Sequence, residues 1–501
     1  MSIVNKIIKN SSSNLISFLW NSVMFILITP IMVYKLGSID YGIVALTTTI
    51  TGFLGFLDLG FTGASVKYIS ESYAKKDYKK ISDVVNLSLI IYIIMGIFAA
   101  IILILFINSP LLSIFKIQND HIHNLEFAFY IGSINIIFNM ILGVFSNIPY
   151  ALQRNDIQAR SNIILSTLTN LLMFIFLIAG YKIRTIMIIK LLSSIYGIVF
   201  YYFVDVKLLP DLHIKFFYDK LLFLEMLKFS IYNMVSQLNN ILFTQFDRII
   251  ISSLIGVPHV TYYAVPDSLG SKVHQVIATI TNVLFPLASE LSVNNNIEKI
   301  KKLYKSALKT VFFLSNVIAI PCIVFSKNIL TIWMGAEFAD KSYNILQILL
   351  ISYLILSSNT ISYYIIFGLN KPKINAMYSL TCGISKIAFC FIFIPLFGLK
   401  GVAIAFLISM ILTILYYLVY FEHLINIKKG FFIFKVYLPM FLSDLIAITL
   451  LRCINYSGTN IIVIALLSLL ILFIISICSM IFRYFKLSEI NKFVKSLLKK
   501  I

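Results

Sequence analysis

Long apolar runs separated by short stretches rich in Lys, Arg, Asp and Asn are the first pattern along this chain. A helix needs about 20 apolar residues to cross about 30 Å of hydrocarbon. Runs of that order occur fourteen times, at 14–34, 42–66, 84–107, 124–150, 161–179, 186–204, 229–254, 262–288, 310–326, 343–367, 374–395, 401–421, 436–451 and 460–482. The pattern predicts an all-α polytopic membrane protein of about 14 transmembrane helices, with the run at 436–451 the shortest. The first run follows Lys6 and Lys9, and no small-x-small cleavage pattern comes after it. It reads as a retained helix rather than a cleaved leader.

Composition sharpens this picture. Hydrophobic residues make up 59% of the 501 and charged residues 12%, against roughly a quarter charged in soluble domains. A soluble enzyme is excluded, and 42 Phe with 28 Tyr exclude a disordered chain. The net charge of +20 would suggest nucleic acid in a soluble protein. Here the basic residues sit between apolar runs: 29 Lys and Arg on the N-terminal side, 8 on the other, and Lys190, Arg248, Lys272 and Lys386 inside the runs. Cationic loops resist translocation, so both termini are expected in the cytoplasm and the charge is assigned to topology and the lipid surface. Cys322, Cys382, Cys390, Cys453 and Cys478 form no C-x-x-C pair and read as packing residues.

Comparison of the chain with itself reveals a repeat. Leu152–Ala159 (LQRNDIQA) aligns without gaps on Leu369–Ala376 (LNKPKINA), at an offset of 217. Gly180-Tyr181-Lys182 matches Gly398-Leu399-Lys400 at 218, and Asn14, Ser17, Asn21 and Gly37 match Asn233, Ser236, Asn240 and Gly256 at 219. The expected organisation is an N-terminal lobe at 1–204, a cytoplasmic linker at 205–228, a C-terminal lobe at 229–421, a further helical pair at 436–482 and a basic tail at 483–501. Six spans per copy make the copies parallel, an arrangement found in transporters with a central site near the midplane.

Asn233, Gln237, Asn240, Thr244 and Asp247 follow spacings of 4, 3, 4 and 3, which place them on one helical stripe. Asn14 and Asn21 echo it in the first span. Such a stripe either lines a wet cavity or bonds neighbouring helices. Each intramembrane charge costs about 3 kcal/mol on insertion scales, which asks for a partner or water. Lys272 and Lys386 fall near the midplane, with His274 beside Lys272, while Arg248 lies in the outer part of its span and Lys190 near enough to the outside to snorkel. Asp58, Asp247 and Asp267 are the carboxylates within runs. These charges differ between the two copies, so they are assigned to cargo or coupling ion, with an Asp267–Lys272 ion pair as the alternative. Several cations favour an anionic cargo such as a phosphate, which rivals a cationic drug as substrate. No Gly-Lys dipeptide occurs, no H-E-x-x-H metal motif is present, and the longest outer loop, Asn108–His123, is short. The reading is therefore not an enzyme, without metal or cofactor.

LGSIDYG (Leu36–Gly42), FLDLGF (Phe56–Phe61), IGVPHVTYYAVP (Ile255–Pro266), ILTIWMGAEF (Ile329–Phe338) and GLKGVAIA (Gly398–Ala405) together resemble bacterial polysaccharide biosynthesis proteins. More narrowly, the chain looks like an O-antigen or capsule repeat-unit flippase of the Wzx type, in the superfamily that also holds multidrug extruders and lipid II flippases. The resemblance implies a V-shaped two-lobed bundle in the bacterial cytoplasmic membrane that moves undecaprenyl-diphosphate-linked oligosaccharide outward by alternating access. It further implies H+ or Na+ coupling and association with a polysaccharide polymerase and a chain-length regulator. On that reading Lys272 and Lys386 attract the diphosphate, with His274 and Arg248 as further substrate-binding candidates. Asn14, Asn21, Asn233, Gln237, Asn240 and Thr244 bond sugar hydroxyls, and Asp58, Asp247 and Asp267 serve ion coupling. The alternatives are a drug exporter of the same fold, a lipid II flippase and a membrane glycan polymerase or ligase.

Overall fold

The computed structural model describes residues 3–281, 297–452 and 458–482, together with 284, 288, 291 and 484. Among them are sixteen α-helices and no strand. In chain order these are α1 Ile3–Leu54, α2 Phe61–Ala74, α3 Tyr78–Ile107, α4 Asn119–Ala151, α5 Asn155–Ile178, α6 Ile183–Leu208, α7 Lys220–Thr244 and α8 Phe246–Leu254. There follow α9 Val257–Thr281, α10 Ile297–Val324, α11 Ser326–Met334, α12 Ala336–Gly368, α13 Pro372–Phe397, α14 Leu399–Leu424, α15 Leu438–Arg452 and α16 Ile461–Ile481.

Eleven helical segments are long and apolar enough to cross a membrane, against fourteen runs expected from sequence. The first two runs lie in one segment, Ser13–Asp58, as two helices that meet in a single kink at Gly37, with φ 79° and ψ 170°. An L-residue with a Cβ rarely adopts that conformation. The seventh and eighth runs are helical as α7 to α9 but are absent from the eleven: their polar stripe and charges lower their hydropathy. The short thirteenth run is extended at its start by one π-helical turn, Ile433–Tyr437.

Two spans are interrupted. After Leu54 the chain makes a 3-10 turn, Gly55–Asp58, and passes through left-handed Leu59 and Gly60 before α2. The Asp58 carboxylate holds this break, accepting the Gly60 N–H at 2.8 Å and the Thr62 hydroxyl at 2.7 Å. These bonds satisfy donors at the start of α2 that have no intrahelical acceptor. The other interruption, at Gln245, separates α7 from α8.

The residues paired by the self-comparison share backbone conformations. Gln153 and Asn370 both have φ 57°, and the N–H groups of 152, 153 and 154 go to the carbonyls of 148, 150 and 149 as those of 369, 370 and 371 go to 365, 367 and 366. Gly180 and Gly398 both have positive φ, as do Gly37 and Gly256. The Gln158 amide donates to the Ser146 carbonyl as the Asn375 amide does to Tyr363. Hydroxyl pairs Thr169–Ser193 (2.7 Å) and Ser385–Ser409 (2.6 Å) join α5 to α6 and α13 to α14.

The chain divides into two compact units, Met1–Ala264 and Val265–Ile501. The first holds α1 to α8 and the start of α9 around Ile43, Phe61, Val84, Phe129, Leu177 and Met226. Its α8–α9 connection is docked on the loop after α3. Lys116 gives its N–H to the Ser252 carbonyl and its ammonium to the Leu254 carbonyl, and Val257 donates back to Lys116. In the second unit, Tyr304, Leu349, Cys390, Met410 and Phe421 are buried on α10, α12, α13 and α14. Cys382 and Cys478 are also buried and Cys322 is half-buried; Cys453 lies outside the described residues.

Candidate functional site

In the first unit, two helices bring charges to the hydroxyls of a third. Thr48 and Thr49 stand on the second half of α1, about 17 Å along the helix from the Gly37 kink. The Lys190 ammonium of α6 donates to the Thr48 hydroxyl at 2.9 Å. The Arg248 guanidinium of α8 reaches Thr49 at 3.5 Å. Lys190 and Arg248 are half-buried, Thr48 is exposed, and the two cations are close enough to repel each other. Lys190 thus turns onto α1 rather than snorkelling to the membrane edge. Beside Arg248, Asp247 is buried and accepts the Tyr263 hydroxyl at 2.7 Å.

Small residues on α1 set this geometry. A Cβ on Gly42 would lie 2.5 Å from the Val257 carbonyl oxygen, and one on Gly52 would meet the Gln245 side chain at 2.7 Å. The α8–α9 corner therefore packs directly on the α1 backbone, as glycine seams do between membrane helices. Phe53 and Phe246 continue the contact with centroids 6.4 Å apart.

The second unit has a different arrangement, centred on Tyr353 of α12. Its hydroxyl donates to Asp267 at 2.7 Å, its ring stacks on His274 at 6.2 Å, and it meets Phe406 edge-on at 5.4 Å. His274 Nδ1 lies 3.1 Å from the Ser357 hydroxyl. Lys386 is buried at 3% exposure, with its ammonium 4.5 Å from the Phe406 ring centroid. A cation over an aromatic face is stabilised by the ring quadrupole. Lys272, on the same helix as His274, is half-buried.

Of the polar stripe, Gln237 is half-buried, while the side chains of Asn233, Asn240 and Thr244 lie outside the described residues. In α1, Asn14 is exposed and Asn21 donates to the Ser17 carbonyl of its own helix at 2.9 Å. The structure thus joins Arg248 to Lys190 within the first unit, and Asp267 to His274 through Tyr353 within the second. Lys190 was visible in the sequence as an intramembrane charge; its alignment with Arg248 was not, because they belong to helices far apart along the chain.

Residues 7–292 match the family model described as "Polysaccharide biosynthesis protein". The chain belongs to the polysaccharide biosynthesis protein family. The match spans Lys190, Arg248 and Lys272; Lys386 lies beyond it. Over 412 residues the chain is 24% identical to a Shigella flexneri protein named "Putative O-antigen transporter", covering 82% of this chain and 96% of that one. It is 22% identical over 453 residues to the "Uncharacterized membrane protein EpsK" of Bacillus subtilis (strain 168), covering 86% of each. Among solved structures, the lipid II flippase MurJ in an inward closed conformation has a TM-score of 0.75 at 18% identity, covering 95% of this chain and 99% of that one. An inward-facing multidrug resistance transporter of the MATE family has a TM-score of 0.68 at 16% identity, covering 80% and 94%. This polysaccharide biosynthesis protein is therefore a multi-pass membrane protein with the fold those transporters share.

Proposed function

We propose that this polysaccharide biosynthesis protein is a flippase for diphosphate-linked oligosaccharide on an undecaprenyl carrier, acting in the bacterial cytoplasmic membrane with both termini in the cytoplasm. The observation that carries this reading is the meeting of Lys190 and Arg248 at Thr48 and Thr49, partway through the spans. Two cations meet at these hydroxyls, with the buried Asp247 beside Arg248, and phosphate oxygens are the natural complement of such a pair of cations. A positively charged drug would be repelled there.

In this reading the diphosphate approaches Lys190 and Arg248 and takes the place of the Thr48 and Thr49 hydroxyl oxygens, whose own protons are given to the Val44 and Ala45 carbonyls. Lys272, Lys386 and His274 extend the basic character in the second unit, while Asn14, Asn21, Gln237 and the other stripe residues bond sugar hydroxyls. The bound headgroup is exposed to the two membrane faces in turn, with an ion gradient as the source of work. Nothing in this sequence of events makes or breaks a covalent bond. Asp58, Asp247 and Asp267, the candidates for ion coupling, hold hydroxyls and, at Asp58, a backbone N–H through the hydrogen bonds described above.

The test is translocation of lipid-linked oligosaccharide in proteoliposomes, followed by accessibility of the glycan to an external hydrolase. A hydrogen bond to a charged group contributes about 1.5–3 kcal/mol. Lys190→Ala with Arg248→Ala is therefore expected to slow translocation by about 10- to 100-fold or more, with Lys190→Arg close to wild type. A wild-type rate in the double variant would sink this assignment.

A further inference from the structure

The carboxylates singled out from the sequence all hold donors: Asp58 has Gly60 and Thr62, Asp247 has Tyr263, and Asp267 has Tyr353. Asp205 does not. It lies in the last turns of α6, is fully buried at 0% exposure, and neither carboxylate oxygen has a hydrogen-bond partner among the described residues. The predicted sixth span ended at 204, which put Asp205 in a solvated linker; the helix continues to Leu208 and carries it inside.

Its surroundings offer no compensation for a negative charge. One turn back, Tyr201 is buried and spends its hydroxyl on Asn162 of α5 at 3.0 Å. One turn on, Leu209 is buried, and its N–H takes the Asp205 backbone carbonyl. α6 packs on α4 and α5, and on α1 towards its other end, where Lys190 meets Thr48. At the nearby ends of α4 and α5, Tyr150 is exposed, Arg154 pairs with Asp156 at 3.1 Å, and Arg160 is exposed. Lys207 on α6 itself is exposed, and the following segment is tied to α3, with the His213 carbonyl and Lys215 N–H both on Asn86. Among the described residues, no cation acts on Asp205. A helix C-terminus also disfavours an anion, and a buried charge without a partner neutralises instead.

We propose that Asp205 is a proton-binding site: a neutral carboxylic acid while α6 is packed as seen, which releases its proton when that packing opens to water. On release the acid O–H bond breaks, the electron pair stays on the carboxylate and the proton passes to water; reprotonation from water reverses the step. Resting on the flippase reading, this makes H+ the coupling ion and the cytoplasmic end of α6 the place where it is held.

Infrared difference spectra of the purified protein in liposomes test the site directly. The wild type minus Asp205→Asn spectrum at neutral pH is expected to show the C=O stretch of a protonated carboxyl, shifting in D2O, and Asp205→Glu should restore such a band. Asparagine matches the neutral acid in shape, so the variant should remain monodisperse. No band in that difference overturns the proposal. In proteoliposomes a pH gradient should accelerate oligosaccharide translocation several-fold in the wild type and not in Asp205→Asn; an undiminished response in the variant overturns the coupling role. A band that depends on Asp205 in a protein that translocates no lipid-linked oligosaccharide would uphold the proton site and defeat the flippase reading instead.

Discussion

Gly401→Ala is expected to remove most of the folded protein from detergent extracts, although it adds a single methyl group. Gly401 lies in the first turn of α14, where the chain doubles back from α13. A Cβ built there falls 2.1 Å from the Phe393 carbonyl oxygen and 2.4 Å from its carbonyl carbon. The obstacle is helical backbone, which cannot rotate away as a side-chain end can. Gly398, with φ 58°, fixes the turn, and Gly401 donates its N–H to the Gly398 carbonyl at 2.9 Å. Overpacking typically costs about 1–3 kcal/mol and more when nothing can yield, and folded proteins have about 5–15 kcal/mol in reserve. Gly143→Ala is the control, because its Cβ would meet nothing within 4 Å. The measurement is the monodisperse fraction on size exclusion after mild heating. Equal recovery of the two variants would show that the α13–α14 turn has room the structure does not display.

Glu422→Ala should have a comparable effect by a different route. Glu422 is fully buried near the end of α14, where its carboxylate accepts the backbone N–H groups of Gly430, Phe431 and Phe432 at 2.8, 3.1 and 2.9 Å. These N–H groups open the helical stretch that leads into α15, so the carboxylate caps it from outside and meets its positive dipole end. Alanine leaves the buried N–H groups of Gly430 and Phe432 without this acceptor, each costing about 1–3 kcal/mol unless water enters, while Phe431 keeps the Lys428 carbonyl. Glu422→Gln keeps one acceptor oxygen but turns an NH2 towards the same donors, so its loss should be intermediate. Thermal unfolding in detergent should rank wild type above Gln above Ala. Unchanged melting of the Ala variant would mean that the helical pair α15–α16 is held to the second unit by other contacts, such as Lys309 on the Tyr484 carbonyl.

Much of the architecture was legible because lipid imposes one rule: a crossing segment must be helical and apolar over a fixed length. The runs therefore marked the helices, and departures occurred where that rule is relaxed. α7 and α9 are helical although polar groups lower their hydropathy; in α9, Asp267 has Tyr353 and His274 has Ser357 as partners. The Gly37 kink joined two runs because a one-residue turn leaves no polar loop. Short motifs were legible when the backbone demanded a residue type, as at Gly180, Gly256 and Gly398, each with positive φ.

The site was legible only in part. Arg248 was marked by its charge, and Lys190 was noted but assigned to the membrane edge, since depth along a helix says nothing about the direction a long side chain takes. Asp205 was missed by one residue in a span boundary, and Glu422 because a carboxylate at the end of a run looks like an ordinary surface charge.

By itself the sequence determined that this chain is an all-helical membrane protein, roughly where its helices begin and end, and some of the charges that lie within them. Those properties follow from local composition acting against a solvent of known thickness. Tertiary structure alone decided which charges meet. Lys190 with Arg248, Asp267 with Tyr353, Glu422 with the 430–432 backbone, and the solitude of Asp205 all depend on helix rotation and packing between residues distant in the chain. A hydropathy pattern sets where a residue lies along its helix and leaves open what stands across from it.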